Sequence, residues 1–250
     1  MKNKIVAIVG ATSMIGKACT QVLAKDDTQL MLMGRDKKNL ETLAGELKTK
    51  VELCVVDVTS ELDVTSAVDR TMRTYGRVDA VMQNIAIYPW KRIEDLSLQE
   101  WQETLNINMT GSFLLTKAFF SVMKKQKSGS IVFSSSIAGE IIGLPHMSAY
   151  AASKAGLNGF MRTSALEFAP YNINVNCISP GRIYNPSTLT EDEMREKLAP
   201  IPLKRFIDPE DIAHMFQFLI SDRAKNITGQ NFIIDGGQSI IGDHSHTKAL

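Results

Sequence analysis

The most constraining feature of this sequence is the alternation of short, apolar, β-branched runs with longer stretches of helical spacing. The first run, Ile5–Val9, is apolar throughout, as a strand buried on both faces of a sheet should be. Six further runs follow at residues 30–33, 51–56, 78–82, 131–133, 173–178 and 232–234. Strands that alternate with helices pair in parallel through right-handed crossovers. The pattern therefore predicts an α/β fold, a doubly wound seven-stranded parallel sheet with helices on both faces.

The stretches between these runs carry apolar residues at helical spacing, and two of them predict long helices, over Leu105–Met123 and Tyr150–Phe168. No linker rich in Pro, Gly or Ser and no repeat divides the chain, so we predict one domain over residues 1–250. Residues 182–207 hold three prolines and charged residues, and long connections of this kind in α/β folds often bind substrate. Residues 238–250 are predicted to form a polar tail.

Charge, hydropathy and cysteine content exclude several classes of protein. The 28 basic and 27 acidic residues nearly balance, so no overall field draws the chain to nucleic acid or to an anionic membrane. No apolar run approaches the roughly 20 residues of a membrane helix, and Ile5–Val9 is too short for a signal-peptide core. Cys19, Cys54 and Cys177 are odd in number and lack CxxC spacing. These features predict a cytoplasmic protein without disulfides, a metal site, a nucleic-acid partner or a membrane partner.

A glycine loop, Gly10–Gly16, ends the first predicted strand and opens the first predicted helix. Glycines at such a turn let the backbone approach a pyrophosphate, and the helix N-terminus supplies free N–H groups and a positive dipole end. Any tight strand-to-helix turn also uses glycine, so the loop alone is a weak signal. Its place after the first strand favours a nucleotide site.

Charged residues after the second and third runs bear on the choice of cofactor. A fold that prefers NAD usually ends its second strand on a carboxylate that accepts from the ribose 2′-OH. Here Gly34 ends the strand and Arg35 follows, and a planar guanidinium suits a 2′-phosphate. We therefore expect NADP(H) rather than NAD(H), with Asp36 as the contrary signal and a solvated arginine as the alternative. Asp57 could accept from the adenine amino group or cap the helix that begins near Ser60.

Tyr150 and Lys154 are the strongest chemical signal, since residues four apart share one face of a helix. A phenol is a poor base at neutral pH, and an ammonium one turn away could lower its pKa in a desolvated cleft. Ser134-Ser135-Ser136 ends the fifth predicted strand, where a hydroxyl would point into the crevice in which α/β sheets bind ligands. Asn108 lies inside a predicted helix although Asn is a poor helix former, which indicates either a task such as holding a water or simple solvent exposure.

Together these motifs resemble the short-chain dehydrogenase/reductase family, in its short, single-domain branch. The resemblance covers about residues 4–238. In the family's order, the chain has the glycine loop, Asp57-Val58, Gln83-Asn84-Ile85-Ala86, Asn108, Ser135-Ser136-x-x-Gly139, Tyr150-x-x-x-Lys154, Pro180-Gly181, and Ile227-Thr-Gly-Gln230 before Asp235-Gly-Gly237. The resemblance implies a Rossmann-type fold and a nicotinamide cofactor.

The resemblance implies a role for each of four catalytic positions. Tyr150 would be the general acid in ketone reduction and the base in alcohol oxidation, and Lys154 would hold the nicotinamide ribose and lower the tyrosine pKa. Ser136, chosen over Ser135 by the Ser-Ser-x-x-Gly register, would polarise the carbonyl. Asn108 would hold a water in a proton relay to the lysine. The residues predicted to bind the cofactor are Gly10, Thr12, Ser13, Ile15, Gly16, Arg35, Asp57, Val58, Asn84, Ala86, Tyr150, Lys154, Pro180, Gly181 and Ile183.

Four positions depart from the family pattern. Met14 stands where the family has a middle glycine, and Val9 where it has a threonine. Ile85 would add carbon beside the adenine ribose, and Asn185 replaces a threonine. These changes bear on cofactor affinity more than on catalysis, because all four catalytic positions are filled. The four-residue spacing of the tyrosine and the lysine argues against the enoyl-reductase branch of the family.

We therefore predict an NADP(H)-dependent oxidoreductase that interconverts a carbonyl and a secondary alcohol of a small-molecule substrate. One alternative is a 3-oxoacyl-carrier-protein reductase, in which Lys124, Lys125 and Lys127 could contact an acidic carrier or, instead, only complement their helix dipole. The other alternative is a catalytically silent nucleotide-binding regulator, which Met14 and Ile85 would favour.

The resemblance also implies a homotetramer or homodimer, paired through helices around residues 100–125 and 149–168. Small residues in the second of these helices would permit close approach of two copies, although they could equally pack on the protein's own sheet. His146 precedes the Tyr150 helix and could line the substrate mouth. His244 and His246 have the spacing of a weak metal chelate, but we expect a mobile polar tail there.

Overall fold

Seven strands in the described part of the chain form one parallel sheet. The computed structural model describes residues 3–49, 51–184 and 188–241. The strands are β1 (Ile5–Val9), β2 (Gln29–Gly34), β3 (Glu52–Val55), β4 (Ala80–Gln83), β5 (Gly129–Ser134), β6 (Ile173–Pro180) and β7 (Asn231–Ile234). Their order is β3-β2-β1-β4-β5-β6-β7, and every neighbouring pair is parallel. The predicted fold class is confirmed, and each predicted run overlaps a strand.

Helices connect and cover these strands. They are α1 (Met14–Ala24), α2 (Lys37–Gly45), α3 (Glu61–Tyr75), α4 (Leu98–Leu105), α5 (Gly111–Gln126), α6 (Ile137–Glu140), α7 (Ser148–Phe168), α8 (Glu191–Leu198) and α9 (Pro209–Leu219). Among the described residues, no helix combines the length and the apolar character that a membrane crossing requires.

The core lies in two layers, one on each face of the sheet. Successive side chains of a strand point to opposite faces. Val6 and Ile8 of β1 therefore pack with the residues of α1 and α9, whereas Ala7 and Val9 pack with those of α3, α5 and α7. Both faces of β1 are buried, which explains why its sequence is apolar throughout instead of alternating.

The long helix predicted over residues 105–123 differs from the observed one. A helical segment begins at Leu98, where Ser97 and Glu100 form a capping box. Residues Asn106–Thr110 then form a π-helical turn before α5 continues to Gln126. The prediction began at Leu105 and missed the first turns, although Leu98, Trp101 and Leu105 already stand at helical spacing. The Ser-x-x-Glu pattern was the signal that could have marked its start.

Candidate active site

The carboxyl ends of β1, β4, β5 and β6 open into two adjoining cavities, of about 820 Å³ and about 320 Å³. Ser13, Asn84 and Ala86 line both of them. The strand order reverses between β1 and β4, and open parallel sheets bind their ligands in the crevice at such a point.

The two cavities gather most of the residues that the sequence marked. The larger one is lined by Ile15, Ser136, Tyr150, Lys154, Pro180, Gly181 and Ile183. The smaller one is lined by Gly10, Thr12, Arg35, Asp57 and Val58. Gly16 lines neither cavity and is buried at the start of α1. Asn185 lies outside the described residues, as do His244 and His246.

The glycine loop is closely packed against the strand beside it. Gly10 has a φ of +78°, and a Cβ there would lie 2.1 Å from the carbonyl oxygen of Asn84. A side chain at position 10 is therefore excluded both by its backbone conformation and by space. Ser13 caps α1 by accepting from the Gly16 N–H at 3.1 Å, and the Asn84 side-chain amide donates to the same hydroxyl at 2.5 Å.

This loop fits the phosphates of a dinucleotide. The first N–H groups of α1, at Met14 and Ile15, have no acceptor within the helix. They lie at a positive dipole end beside the larger cavity. Met14 itself is 54% exposed. Its side chain lines the larger cavity and is not packed into the turn of the glycine loop.

The smaller cavity is lined by both charged and apolar side chains. Arg35 is exposed just after β2. Hydrogen bonds from Thr59 lower the pKa of Asp57, and the charge of Arg35 lowers it further. The Thr59 N–H donates to Asp57 Oδ1 at 2.9 Å, so this carboxylate closes the turn before α3, whose cap is Ser60. Ile85 lines the cavity and also packs against the core.

Asp36 is held by its own helix. One carboxylate oxygen accepts from the Asn39 N–H at 3.0 Å and the other from the Asn39 side-chain amide at 2.9 Å. The residue is the N-cap of α2. Its two oxygens are thus already engaged, whereas the guanidinium of Arg35 has no ion-pair partner among the described residues.

Tyr150 and Lys154 share one face of α7, as their spacing predicts. The Lys154 ammonium lies 5.5 Å from the centroid of the Tyr150 ring and donates to the carbonyl oxygen of Ser134 at 2.6 Å. Lys154 is 2% exposed, and burial lowers its pKa to about 8. The lysine charge is therefore held next to the phenol ring by a backbone carbonyl at the end of β5.

Burial also dominates the titration of Tyr150. It raises the pKa of the phenol, and a hydrogen bond from Ser136 partly offsets this by favouring the phenolate. The role that the resemblance gives Lys154, lowering this pKa, stays a prediction; the ammonium donates to the Ser134 carbonyl and lies over the ring. The phenol is therefore protonated at neutral pH.

The two serines after β5 have separate tasks. Ser136 lines the larger cavity and caps α6 by accepting from the Ala138 N–H at 3.1 Å. The Ser135 hydroxyl is buried and donates to the carbonyl oxygen of Lys154 at 3.3 Å, while the Asn158 amide donates to that hydroxyl at 3.0 Å. Asn158 was missed by sequence reasoning, and it and Ser135 fix the backbone of Lys154.

Asn108 is 2% exposed and lies in the π-helical turn. Its side-chain oxygen accepts from the Ile87 N–H at 2.9 Å, and its amide donates to the Ile87 carbonyl at 3.0 Å and to Ser153 Oγ at 2.9 Å. Ser153 in turn donates to the carbonyl oxygen of Tyr150 at 2.7 Å. Of the two interpretations left open by the sequence, simple solvent exposure is wrong. Asn108 ties the loop after β4 to the first turn of α7.

Aromatic side chains line one wall of the larger cavity, and besides Tyr150 sequence reasoning marked only His146 among them. The Tyr88 and Tyr150 rings meet edge to face, with centroids 5.8 Å apart. The Trp90 ring stacks on His146 at 5.6 Å. Both Tyr88 and Trp90 come from the loop after β4, and nothing in the local pattern of that loop indicates where its rings lie.

The basic residues considered for carrier binding lie near the amino end of β5, at the opposite end of the strands from the two cavities. Lys124 and Lys125 are in the last turn of α5, and Lys127 is its left-handed C-cap with a φ of 52°. They precede the amino end of β5, whereas both cavities lie at the carboxyl ends of the strands. The Lys124 ammonium also lies over the Tyr171 ring, 4.7 Å from its centroid. Complementing the helix dipole is the interpretation that fits this position.

A glycine loop at a helix N-terminus, two cavities at the reversal of a parallel sheet and a buried Tyr–Lys pair together define a dinucleotide-binding oxidoreductase. The family model described as enoyl-(acyl carrier protein) reductase matches residues 10–239. The chain belongs to the short-chain dehydrogenase/reductase family, whose members act on alcohol and carbonyl groups with a nicotinamide cofactor.

Named relatives cover nearly the whole chain. It is 38% identical over 242 residues to the 3-oxoacyl-[acyl-carrier-protein] reductase FabG of Thermotoga maritima, an alignment that covers 95% of this chain and 98% of that protein. It is 34% identical to trans-4-hydroxycyclohexanecarboxylate dehydrogenase of Sinomonas cyclohexanicum, covering 95% and 93%. A solved structure of NAD+-bound xylitol dehydrogenase superposes with a TM-score of 0.89 at 30% identity, covering 94% and 99%. The protein is an oxidoreductase of this family.

Proposed function

We propose that this protein is an NADP(H)-dependent oxidoreductase that interconverts a carbonyl and a secondary alcohol, with Tyr150 as the proton donor in reduction and the acceptor in oxidation. The observation that carries the proposal is the meeting of Tyr150, Lys154 and Ser136 at the wall of the larger cavity. A buried phenol beside a buried ammonium can give up a proton to a bound carbonyl, since the resulting phenolate would pair with the nearby charge.

The side chains divide the work as follows. Ser136 is placed to hydrogen-bond the substrate oxygen and orient it toward the phenol. Lys154 keeps a positive charge near the site of proton transfer, and its tie to Ser134 fixes the position of that charge. Asn108 fixes the loop after β4 against α7, so that the cavity keeps its shape. A nicotinamide cofactor, when bound, supplies or accepts the hydride.

Groups along both cavities would hold the cofactor. The N-terminus of α1 suits its phosphates, and Asp57, Val58 and Ala86 line the smaller cavity, where the adenine end fits. Pro180, Gly181 and Ile183 line the larger one. Arg35 favours a 2′-phosphate, because its guanidinium is unpaired among the described residues while Asp36 is engaged by Asn39.

The substrate loop proposed at residues 182–207 contributes to the larger cavity. Arg182, Tyr184, Glu196 and Lys197 line it, the last two from α8. Lys197 lies over the ring of Tyr184, 5.1 Å from its centroid. We propose that this segment forms part of one domain spanning residues 1–250 and sets the outer shape of the substrate site.

The cofactor and reaction can be tested together. The purified protein is mixed with NADPH or NADH and a panel of small ketones, and absorbance at the nicotinamide band is followed; chromatography identifies any nucleotide bound on purification. NADPH oxidation with a ketone supports the proposal. If nucleotide binds but no carbonyl is reduced and no alcohol is oxidised, the protein is instead a silent nucleotide-binding regulator. Faster turnover with NADH would reverse the cofactor assignment.

A second candidate is reduction of acyl-carrier substrates, which the identity with the Thermotoga maritima reductase favours. It has no support from Lys124, Lys125 and Lys127, since these lie at the amino end of β5. A 3-oxoacyl thioester and an enoyl thioester belong in the same panel. Preference for the former over every free ketone would establish the carrier reaction, and turnover of the latter would establish enoyl reduction.

We also propose a cytoplasmic homotetramer or homodimer, paired through α4, α5 and α7. Phe113 of α5 is 47% exposed and meets the Phe160 ring of α7 at 6.3 Å. Ala152 and Gly156 are exposed on α7, so a second copy could approach this face closely. Light scattering tests the assembly, and a mass near the 27.6 kDa of one chain would overturn it.

A further inference from the structure

The wall of the larger cavity beside Tyr150 carries an unusual amount of exposed aromatic surface. Tyr88 is 63% exposed and Trp90 64% exposed, and both line the cavity. Large aromatic side chains contribute most when they are covered, and these two contribute little to the core. Tyr88 contacts the phenol ring and Trp90 lines the same cavity, which points to a role for both in binding the substrate.

These rings are held in place. Trp90 stacks on His146 with 28° between the ring planes, and the adjacent Lys91 N–H donates to the His146 carbonyl at 3.0 Å. His146 has a φ of +67°, a conformation that is uncommon outside glycine. The Lys91 ammonium also pairs with Glu100 at 2.6 Å. The loop after β4 and the segment before α7 are thus joined into one wall.

This wall presents mainly ring faces and carbon. Leu144, Pro145 and Met147 line the same cavity and offer no side-chain donor, so its polar atoms are the Tyr88 hydroxyl, the Trp90 indole N–H and the His146 imidazole. The charged residues Arg182, Glu196 and Lys197 come from the substrate loop instead. A rigid apolar ring can cover aromatic faces without losing internal rotations, whereas an open chain must order several bonds to cover the same area.

We propose that Tyr88, Trp90 and His146 form an aromatic wall that selects ring-bearing substrates, cyclic ketones and the matching secondary alcohols, over open-chain ones. The proposal rests on the proposed function and names its substrate class. Tyr88 contacts the phenol edge to face, and the Trp90–His146 stack lines the same cavity. A ring lying on this wall would present its carbonyl to the cavity that Tyr150 and Ser136 line.

The test compares two ketones with six carbons, cyclohexanone and hexan-2-one, under NADPH. We expect kcat/KM to favour the cyclic ketone by about tenfold or more, as a well-packed ring contact can give. Trp90→Ala should raise KM for cyclohexanone by about tenfold with little change in kcat, and leave hexan-2-one nearly unaffected. Trp90→Phe, which keeps a ring, should restore most of the loss and also reports on any folding defect.

Ile93→Ala is the matched control, because Ile93 is 76% exposed on the same loop but does not line the cavity. It should leave both ketones unchanged. A readout independent of turnover uses Trp101→Phe, which leaves Trp90 as the one tryptophan of the chain. Adding cyclohexanol with the oxidised cofactor should then shift the emission to the blue as Trp90 is covered, whereas hexan-2-ol should not.

The outcomes separate the two proposals. If hexan-2-one is reduced as efficiently as cyclohexanone, or if Trp90→Ala weakens both ketones equally, the aromatic wall is wrong and the proposed function stands. Reduction of other carbonyls but of neither ketone also overturns the wall. If no carbonyl is reduced while nucleotide binds, the proposed function itself fails.

Discussion

The Lys154 ammonium donates to the main-chain carbonyl of Ser134 at 2.6 Å, which anchors a buried charge at the carboxyl end of β5. This bond sets the distance of 5.5 Å between the charge and the Tyr150 ring. Burial lowers the pKa of Lys154 to about 8 and raises the pKa of Tyr150. The structure thus holds a weak acid and a destabilised cation side by side.

Replacing the phenol tests the proton-transfer role. Tyr150→Phe should lower turnover by roughly 10²–10⁴-fold, the usual range for loss of a general acid or base. Nucleotide binding should persist, because the ring and Lys154 remain. Steady-state kinetics and fluorescence titration with NADPH measure the two effects. Tyr171→Phe is the control, since Tyr171 lies far from the cavities, beside Lys124. Full activity in Tyr150→Phe would remove this residue from the reaction.

The buried lysine should make stability depend on pH. Its folded-state pKa is about 8 against an ordinary 10.5, so between these values the unfolded chain binds more protons and the free energy of unfolding rises with pH. At pH 7 the buried charge costs on the order of 3 kcal/mol. Lys154→Met should therefore be more stable than the parent at pH 7, by an amount that shrinks from pH 8 to pH 10.5. Urea unfolding at each pH measures the difference, and a constant difference would contradict the prediction.

The cofactor preference should depend on Arg35. Arg35→Ala should raise KM for NADPH by at least about tenfold, given the roughly 1.5–3 kcal/mol of a charge-assisted hydrogen bond, and leave KM for NADH nearly unchanged. Lys38→Ala removes an equal charge from the adjacent helix α2 without lining the smaller cavity, and should change neither value. Equal losses with both cofactors would show that Arg35 does not contact a 2′-phosphate.

The glycine loop should not tolerate a methyl group. Gly10→Ala adds a Cβ 2.1 Å from the Asn84 carbonyl at a positive φ, which should cost about 1–3 kcal/mol or more and weaken nucleotide binding. Gly45→Ala is the matched control, because a Cβ there meets nothing within 4 Å, and it should stabilise by about 0.4–1 kcal/mol. Thermal unfolding with and without NADPH measures the stability and the nucleotide binding of each variant. If Gly10→Ala matches the parent in both, the Asn84 carbonyl does not constrain the loop at position 10.

Asn108 should stabilise the protein apart from any part it has in the reaction. Asn108→Ala leaves the Ile87 backbone groups without partners, at a cost of about 1–3 kcal/mol. Asn106→Ala, an exposed change in the same π-helical turn, should cost far less. Comparing the two melting temperatures measures the effect. If the two variants melt together, the hydrogen bonds to Ile87 do not support the loop.

Local pattern was enough for much of the architecture. Apolar runs placed all seven strands. In β1 and β4 every residue is buried, which explains why these runs are mainly apolar. The edge strands β3 and β7 are only partly buried. The helical spacing of Tyr150 and Lys154 placed both on one face of α7. The first turns of α4 were missed although Leu98, Trp101 and Leu105 stand at helical spacing, because most of the residues between them are polar.

What the sequence by itself determined, then, is which segments are strands and helices and which chemical groups follow each strand. Only the tertiary structure decided which of these groups meet. Asn108 meets Ile87 and Ser153, Trp90 meets His146, Ser135 turns inward while Ser136 lines the cavity, and Lys124 lies at the opposite end of the strands. Such contacts join residues distant along the chain. Burial and pKa shifts depend on the assembled surroundings, which local periodicity does not carry.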